Sequence, residues 1–173
     1  MENKSIYSEA PKYYHYYFDL IESDNLINEL EKSHQYMLDL FQKINTANEN
    51  FSYQENKWTT KQVIRHIIDC ERIFGYRALR FARFDNTMLA GFDENKYMEP
   101  PLHQNENIDA LTHEFVNVRN STISLYKSMN DQMLDFRGSV DGTFNSARTI
   151  GFMIVGHQLH HCLFLEKNYF HES

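Results

Sequence analysis

At 173 residues the chain has the length of one domain, and its 42% apolar residues, with 13 Phe, 11 Tyr and one Trp, suffice for a sizeable core. Its 24 acidic against 17 basic side chains give a formal net charge of −7, which argues against a surface that tracks nucleic-acid phosphates. No apolar run approaches the ~18–20 residues of a membrane span, and six glycines and three prolines are too few turn formers for an all-β chain.

From the N-terminus, "MENKSIYSEA" is polar and shows no apolar stretch of a secretory signal. The aromatic "YYHYYF" that follows is expected to pack across the domain. A first helix is predicted from about Asp24 to Ile44, with Leu26, Ile27, Leu30, Met37, Leu38 and Phe41 at helical spacing, closed by the polar "NTANEN". A second opens at "WTTKQ", with Thr59 or Thr60 as its N-cap, and runs to about Phe84. Its arginines Arg72, Arg77, Arg80 and Arg83 are expected to pair with acids on a solvated face.

A long connection, "DNTMLAGFDENKYMEPPLHQNEN", has no clear period, and loops of this length are uncommon unless they carry function or lie across a site. The third helix is predicted over Ile108–Met129, followed by "FRGSVDGTFN" as a short extended or hairpin insert. The fourth runs from near Ser146 to about Tyr169. Four helices with a long second connection predict a four-helix bundle over residues 1–173. Phe152, Val155, Leu159 and Leu163 make the last helix apolar nearly all round, so a homodimer is expected, with burial by the N-terminal segment as the competing explanation. Cys70 and Cys162 fall in helices and suggest core thiols in a reducing, cytoplasmic setting, not a disulfide framework.

The last helix contains "VGHQLHHCLFLEKNY", three histidines in a largely apolar context. At about 100° per residue, His157 and His161 share an arc with Met153, Ile154, Phe164 and Leu165, one turn apart, while His160 points to the side. Histidines at i and i+4 can direct two nitrogens at one metal ion. A third candidate, His66, lies on the second helix at the edge of an arc shared with Val63, Cys70 and Arg77. Three neutral imidazoles suit a divalent transition metal such as zinc or nickel and leave positions open for water or substrate. The alternative is that these are hydrogen-bonded core histidines, since H-x-x-x-H by itself is a weak motif. His34, His103, His113 and His171 are expected to be exposed or loop-borne, and His15 belongs to the aromatic segment.

"YYFDLIESDNLINELEKS", "KWTTKQVIRHIIDCERIFGYRALRFAR", "AGFDENKYM" and "IVGHQLHHCLFLEKNY", in that order from about Tyr13 to Tyr169, resemble the DinB-like superfamily, in its YfiT-type branch of metal-dependent hydrolases. The resemblance implies an up-down-down-up four-helix bundle, often dimeric. It also implies a metal held by one histidine of the second helix and two of the last, which match His66, His157 and His161; His160 stays outside that set.

Glu71 falls in the apolar arc of the second helix between Ile67 and Phe74, where a carboxylate needs a partner. It could orient a ligand histidine or accept a proton from bound water, or it could pair with an arginine of its own or a neighbouring helix. Asp69 points elsewhere, toward solvent. In the loop, Asp93, Glu94 and Tyr97 of "GFDENKY" border the metal cleft or serve in capping and packing, and Arg77 is a candidate cleft residue. The reading is a metal-dependent hydrolase acting on a small molecule. The alternatives are an S-transferase using a low-molecular-weight thiol of the bacillithiol or mycothiol type, as the resemblance implies, and a non-catalytic stress-associated binding protein.

Overall fold

The structure is a computed structural model describing residues 6–99 and 106–170; the Pro100-Pro101 pair, His103 and His171 lie outside the described residues. In chain order the helices are α1 (Ile6–Glu9), a single 3-10 turn (Lys12–Tyr14), α2 (His15–Phe18), α3 (Leu26–Phe41), α4 (Thr60–Ala82), α5 (Glu94–Tyr97), α6 (Ile108–Lys127), α7 (Asp131–Asp135) and α8 (Ala147–Asn168). A hairpin of β1 (Arg137–Val140) and β2 (Thr143–Ser146) stands before α8.

Each of the four long helices begins at a side-chain cap that satisfies an otherwise orphaned amide. Asn25 accepts from the Asn28 amide at 3.1 Å, and Asn107 from that of Ala110 at 2.8 Å. Thr59 and Gln62 form a reciprocal capping box, as do Ser146 and Thr149. Observed boundaries fall within a few residues of those predicted; α4 stops at Ala82, where Phe84 takes a positive φ of 59°. Asp141 and Gly142, at φ 45° and 79°, make the two-residue turn of the hairpin, a conformation favoured by Asp-Gly.

Contacts between side chains fix the direction of each long helix. Glu31 of α3 pairs with Lys127 of α6, and further on Phe41 meets Phe115, so these helices are antiparallel. Arg65 and Glu71 of α4 reach Glu114 and Arg119 of α6 in the same sense, a parallel pair. His66 of α4 meets His161 of α8 and Phe74 meets His157, antiparallel. Ser33 and Met37 of α3 face Gln158 and Cys162 of α8, parallel. The result is an up-down-down-up four-helix bundle, with the parallel α4–α6 pair made possible by the long connection. No described helix is long and apolar enough to cross a membrane.

A polar layer divides the core. Arg119, fully buried, donates to both oxygens of Glu71 at 2.8 Å, to Ser33 Oγ at 2.7 Å, to the Leu30 carbonyl at 3.1 Å and to Gln158 Oε1 at 2.7 Å. Gln158 Nε2 in turn donates to the Ser33 carbonyl at 2.7 Å. All four long helices contribute, so the layer fixes their relative heights. On one side lies an apolar cluster around Leu30, Phe81, Ile123 and Phe152, and on the other a cluster around Met37, Ile67, Phe115 and Leu165.

The outer face of α8 is covered by the chain's own N-terminal segment. Gly156 lies against the Tyr17 backbone carbonyl so closely that any side chain there would overlap it. Phe152 and Val155 are buried in the apolar cluster that Ile6, Phe18 and Ile21 of this segment join, while Leu163, at 45% exposure, stays outside. The N-terminal segment thus takes part in covering this face, and the homodimer stays an expectation, checked by light scattering at micromolar concentration.

Candidate metal centre

His66 comes from the second turn of α4, and His157 and His161 from adjacent turns of α8, at the level where the antiparallel pair packs closely. Their Nε2 atoms converge: His157 Nε2 lies 3.1 Å from that of His66 and 3.2 Å from that of His161. One ring nitrogen from each histidine falls within 4.8 Å of the others, and no further such group of ligating side chains occurs among the described residues. His160, as expected, does not join them; its Nδ1 lies 3.2 Å from the Tyr16 hydroxyl.

The walls around the cluster are apolar. The Trp58 ring sits 4.9 Å from that of His66, Phe74 meets His157 edge-on, and Tyr17 lies tilted across it. Burial holds all three imidazoles neutral: His66 is lowered to about 4, and His157 and His161 fall well below the ordinary value, with the neighbouring rings lowering them further. Three neutral Nε2 atoms aimed at one point are poorly satisfied by one another, because each is either a donor or an acceptor. A divalent cation takes three lone pairs at once. With bonds of ~2.1 Å to nitrogen, neighbouring ligand atoms stand about 3.0–3.4 Å apart, which the two short contacts match. Coordination through Nε2 leaves Nδ1–H to donate, and His66 Nδ1 has Cys70 Sγ at 3.6 Å. The residues present fit a divalent metal ion.

The other sequence candidates separate. Glu71 gives both oxygens to Arg119 on the far side of α4, so it is the ion pair among its alternatives and does not orient a ligand histidine. Arg77 is buried, not solvated; it donates to the Ala90 carbonyl at 3.1 Å and stacks near Phe74 and Phe92, a strut under the long connection. Asp93 caps α5 by accepting from the Asn95 amide, and Tyr97 packs on Phe92. Asp69 lies near Arg65 and Arg72 at 3.5 and 3.8 Å. His34 is half-buried against Phe115, not exposed, because Arg119 and Phe115 of α6 close over it.

Of the "GFDENKY" residues expected at the cleft, Glu94 is the one whose charge reaches the histidines, and Asn95, which the sequence did not single out, joins it. The Glu94 carboxylate raises His66 and Cys70 against the stronger effects of burial, and Asn95 lines a cavity shared with His160 and His161. The period of a helix could not have singled out Asn95, since α5 is one turn long. The cavity measures about 370 Å³ and opens beside the cluster between Trp58 and Phe164. Both thiols are buried, and burial pushes each up to about 12, which removes them as nucleophiles.

Comparison with known proteins follows the same lines. The DinB superfamily model matches residues 29–165. YfiT from Bacillus subtilis, described as "a probable metal-dependent hydrolase with an unusual four-helix bundle topology", superposes with a TM-score of 0.75 at 15% identity, over 83% of each chain. A DinB-like protein of Bacillus subtilis, YjoA, superposes at 0.59 and 12% identity over 86% of this chain and 94% of its own. No curated protein matches the sequence. Matched by the superfamily model over most of its length and folded as YfiT is, the chain belongs to the DinB superfamily.

Proposed function

We propose that the protein is a metal-dependent hydrolase acting on a small molecule, with one divalent transition metal ion, zinc or nickel, held by His66, His157 and His161. The observation that carries this reading is the convergence of three Nε2 atoms, from buried His66 and His157 and half-buried His161, beside an open cavity. When bound, the ion supplies Lewis acidity, undiminished by any anionic ligand in the histidine set. The chain supplies the rest. Trp58, Phe74 and Tyr17 exclude bulk water from the ring faces. Glu94, an exposed carboxylate whose charge acts on His66, is a group that can take up a proton released at the cleft. Because Cys70 and Cys162 are buried and held as thiols, the reading requires no covalent step on the protein. The similarity to YfiT supports the hydrolase class.

The test is metal analysis of tag-free protein together with a panel of ester, amide and thiol-conjugation substrates run with and without chelator. His161→Ala is expected to lose the ion and all hydrolysis while keeping its helical content, and His160→Ala to retain most of the metal. Full metal occupancy in His161→Ala would refute the site. Activity confined to thiol conjugation would replace the hydrolase with an S-transferase, and a silent panel with bound metal would leave a binding protein.

A further inference from the structure

The cavity beside the histidines has a one-sided chemistry. Trp58, Tyr53, Phe164 and Tyr169 form aromatic walls, with Phe164 and Tyr169 ring to ring at 6.0 Å and Tyr53 edge-on to Phe164 at 5.3 Å. The polar groups on its lining are Asn56, Lys57, Asn95, His160 and His161. None of these is a carboxylate and one is a cation, in a chain whose net charge is −7. His160 adds a donor. Its Nδ1 lies 3.2 Å from the Tyr16 hydroxyl, and when that hydroxyl donates, the ring carries its proton on Nε2.

We propose that this cavity binds a small aromatic molecule carrying an anionic or acceptor group, its ring between Trp58 and Phe164 and its oxygens held by Lys57 and the His160 N–H. Aromatic walls with a few converging donors are the usual composition of a small-ligand site, and about 370 Å³ is room for one or two rings. A flat ring gains dispersion and edge contacts from these walls that an alkyl anion forgoes. Lys57, the one charged group on the lining, makes an ammonium on the same ring unwelcome, although cations also favour aromatic faces. The identification names the substrate class of the proposed hydrolase and rests on that reading only for the chemistry, not for the binding.

The protein carries a built-in reporter, since Trp58 is its single tryptophan and lies on the cavity wall. Benzoate, benzylamine and acetate, titrated while the lone indole N–H resonance and the tryptophan emission are followed, separate ring from charge. On chelator-treated full-length protein, benzoate is expected to shift both signals saturably, with benzylamine and acetate at least about tenfold weaker. Lys57→Gln, at an exposed position that leaves the fold intact, should weaken benzoate about fivefold and leave benzylamine unchanged. Tyr16→Phe should weaken it less, by freeing the His160 ring. Benzylamine binding as tightly as benzoate, or no saturation by benzoate below about 20 mM, would overturn the proposal. Repeating the titration with zinc distinguishes the two claims. Loss of metal binding with benzoate still bound removes the hydrolase alone, and metal bound without benzoate removes the substrate class alone.

Discussion

Burial sets the charge of the three histidines before any ion arrives, and this has a sign that can be measured. In the unfolded chain an imidazole titrates near ~6.5, whereas folded His66 is lowered to about 4 by desolvation, and the same cause lowers His157 and His161 well below the ordinary value. Between those limits the unfolded state binds more protons than the folded one, so stability rises with pH there. The metal-free protein is therefore expected to be fully stable above about pH 7 and to lose stability steadily as pH falls through 6 toward 4. Thermal unfolding at pH 7.5, 6 and 5 checks this, and His66→Gln should flatten the profile. At Arg119 the residue argument is one of pairing. Removing its charge by Arg119→Met strands the Glu71 carboxylate in the core, at a cost of about 3–5 kcal/mol in urea unfolding, while adding Glu71→Leu should recover much of it. His66, His157 and His161 were legible because arcs on two helices identify buried faces, and the resemblance joined them. The partner of Glu71 was not legible: its i and i+4 neighbours do not reveal which residue of a third helix will face it.

The same division holds for elements. The capped starts of α3, α4, α6 and α8 are visible as Asn, Thr or Ser just before an apolar period, and the hairpin is visible in its Asp-Gly turn. The short helices α1, α2, α5 and α7 complete too little of a period to leave a pattern, and they form where larger elements already hold the chain. The cap at Ser146 serves the helix that carries two of the three histidines. Ser146→Ala is expected to cost about 1 kcal/mol of stability, and to change metal affinity little because His157 lies three turns further on. Denaturant titration alongside metal titration separates the two effects.

At the scale of the whole molecule, the order in which helices leave the ribosome differs from the order in which they pack. α3 finds its neighbours in α6 and α8, and between α3 and α6 the chain must first lay down all of α4 and the long connection. The first two long helices lie diagonally and give each other little shelter, so a fragment ending after α4 should not form a stable hairpin on its own. Most of the inter-helix closures are distant in sequence, and loop closure has to precede the contacts that reward it. The consequence is kinetic. This bundle is expected to refold on a timescale of about milliseconds or longer, where an up-down-up-down bundle of the same length folds faster, and stopped-flow fluorescence of Trp58 measures it. A nascent chain of this topology stays sticky until its last helix is made, so it is the C-terminal α8, bearing His157 and His161, that closes both the core and the site in a single event.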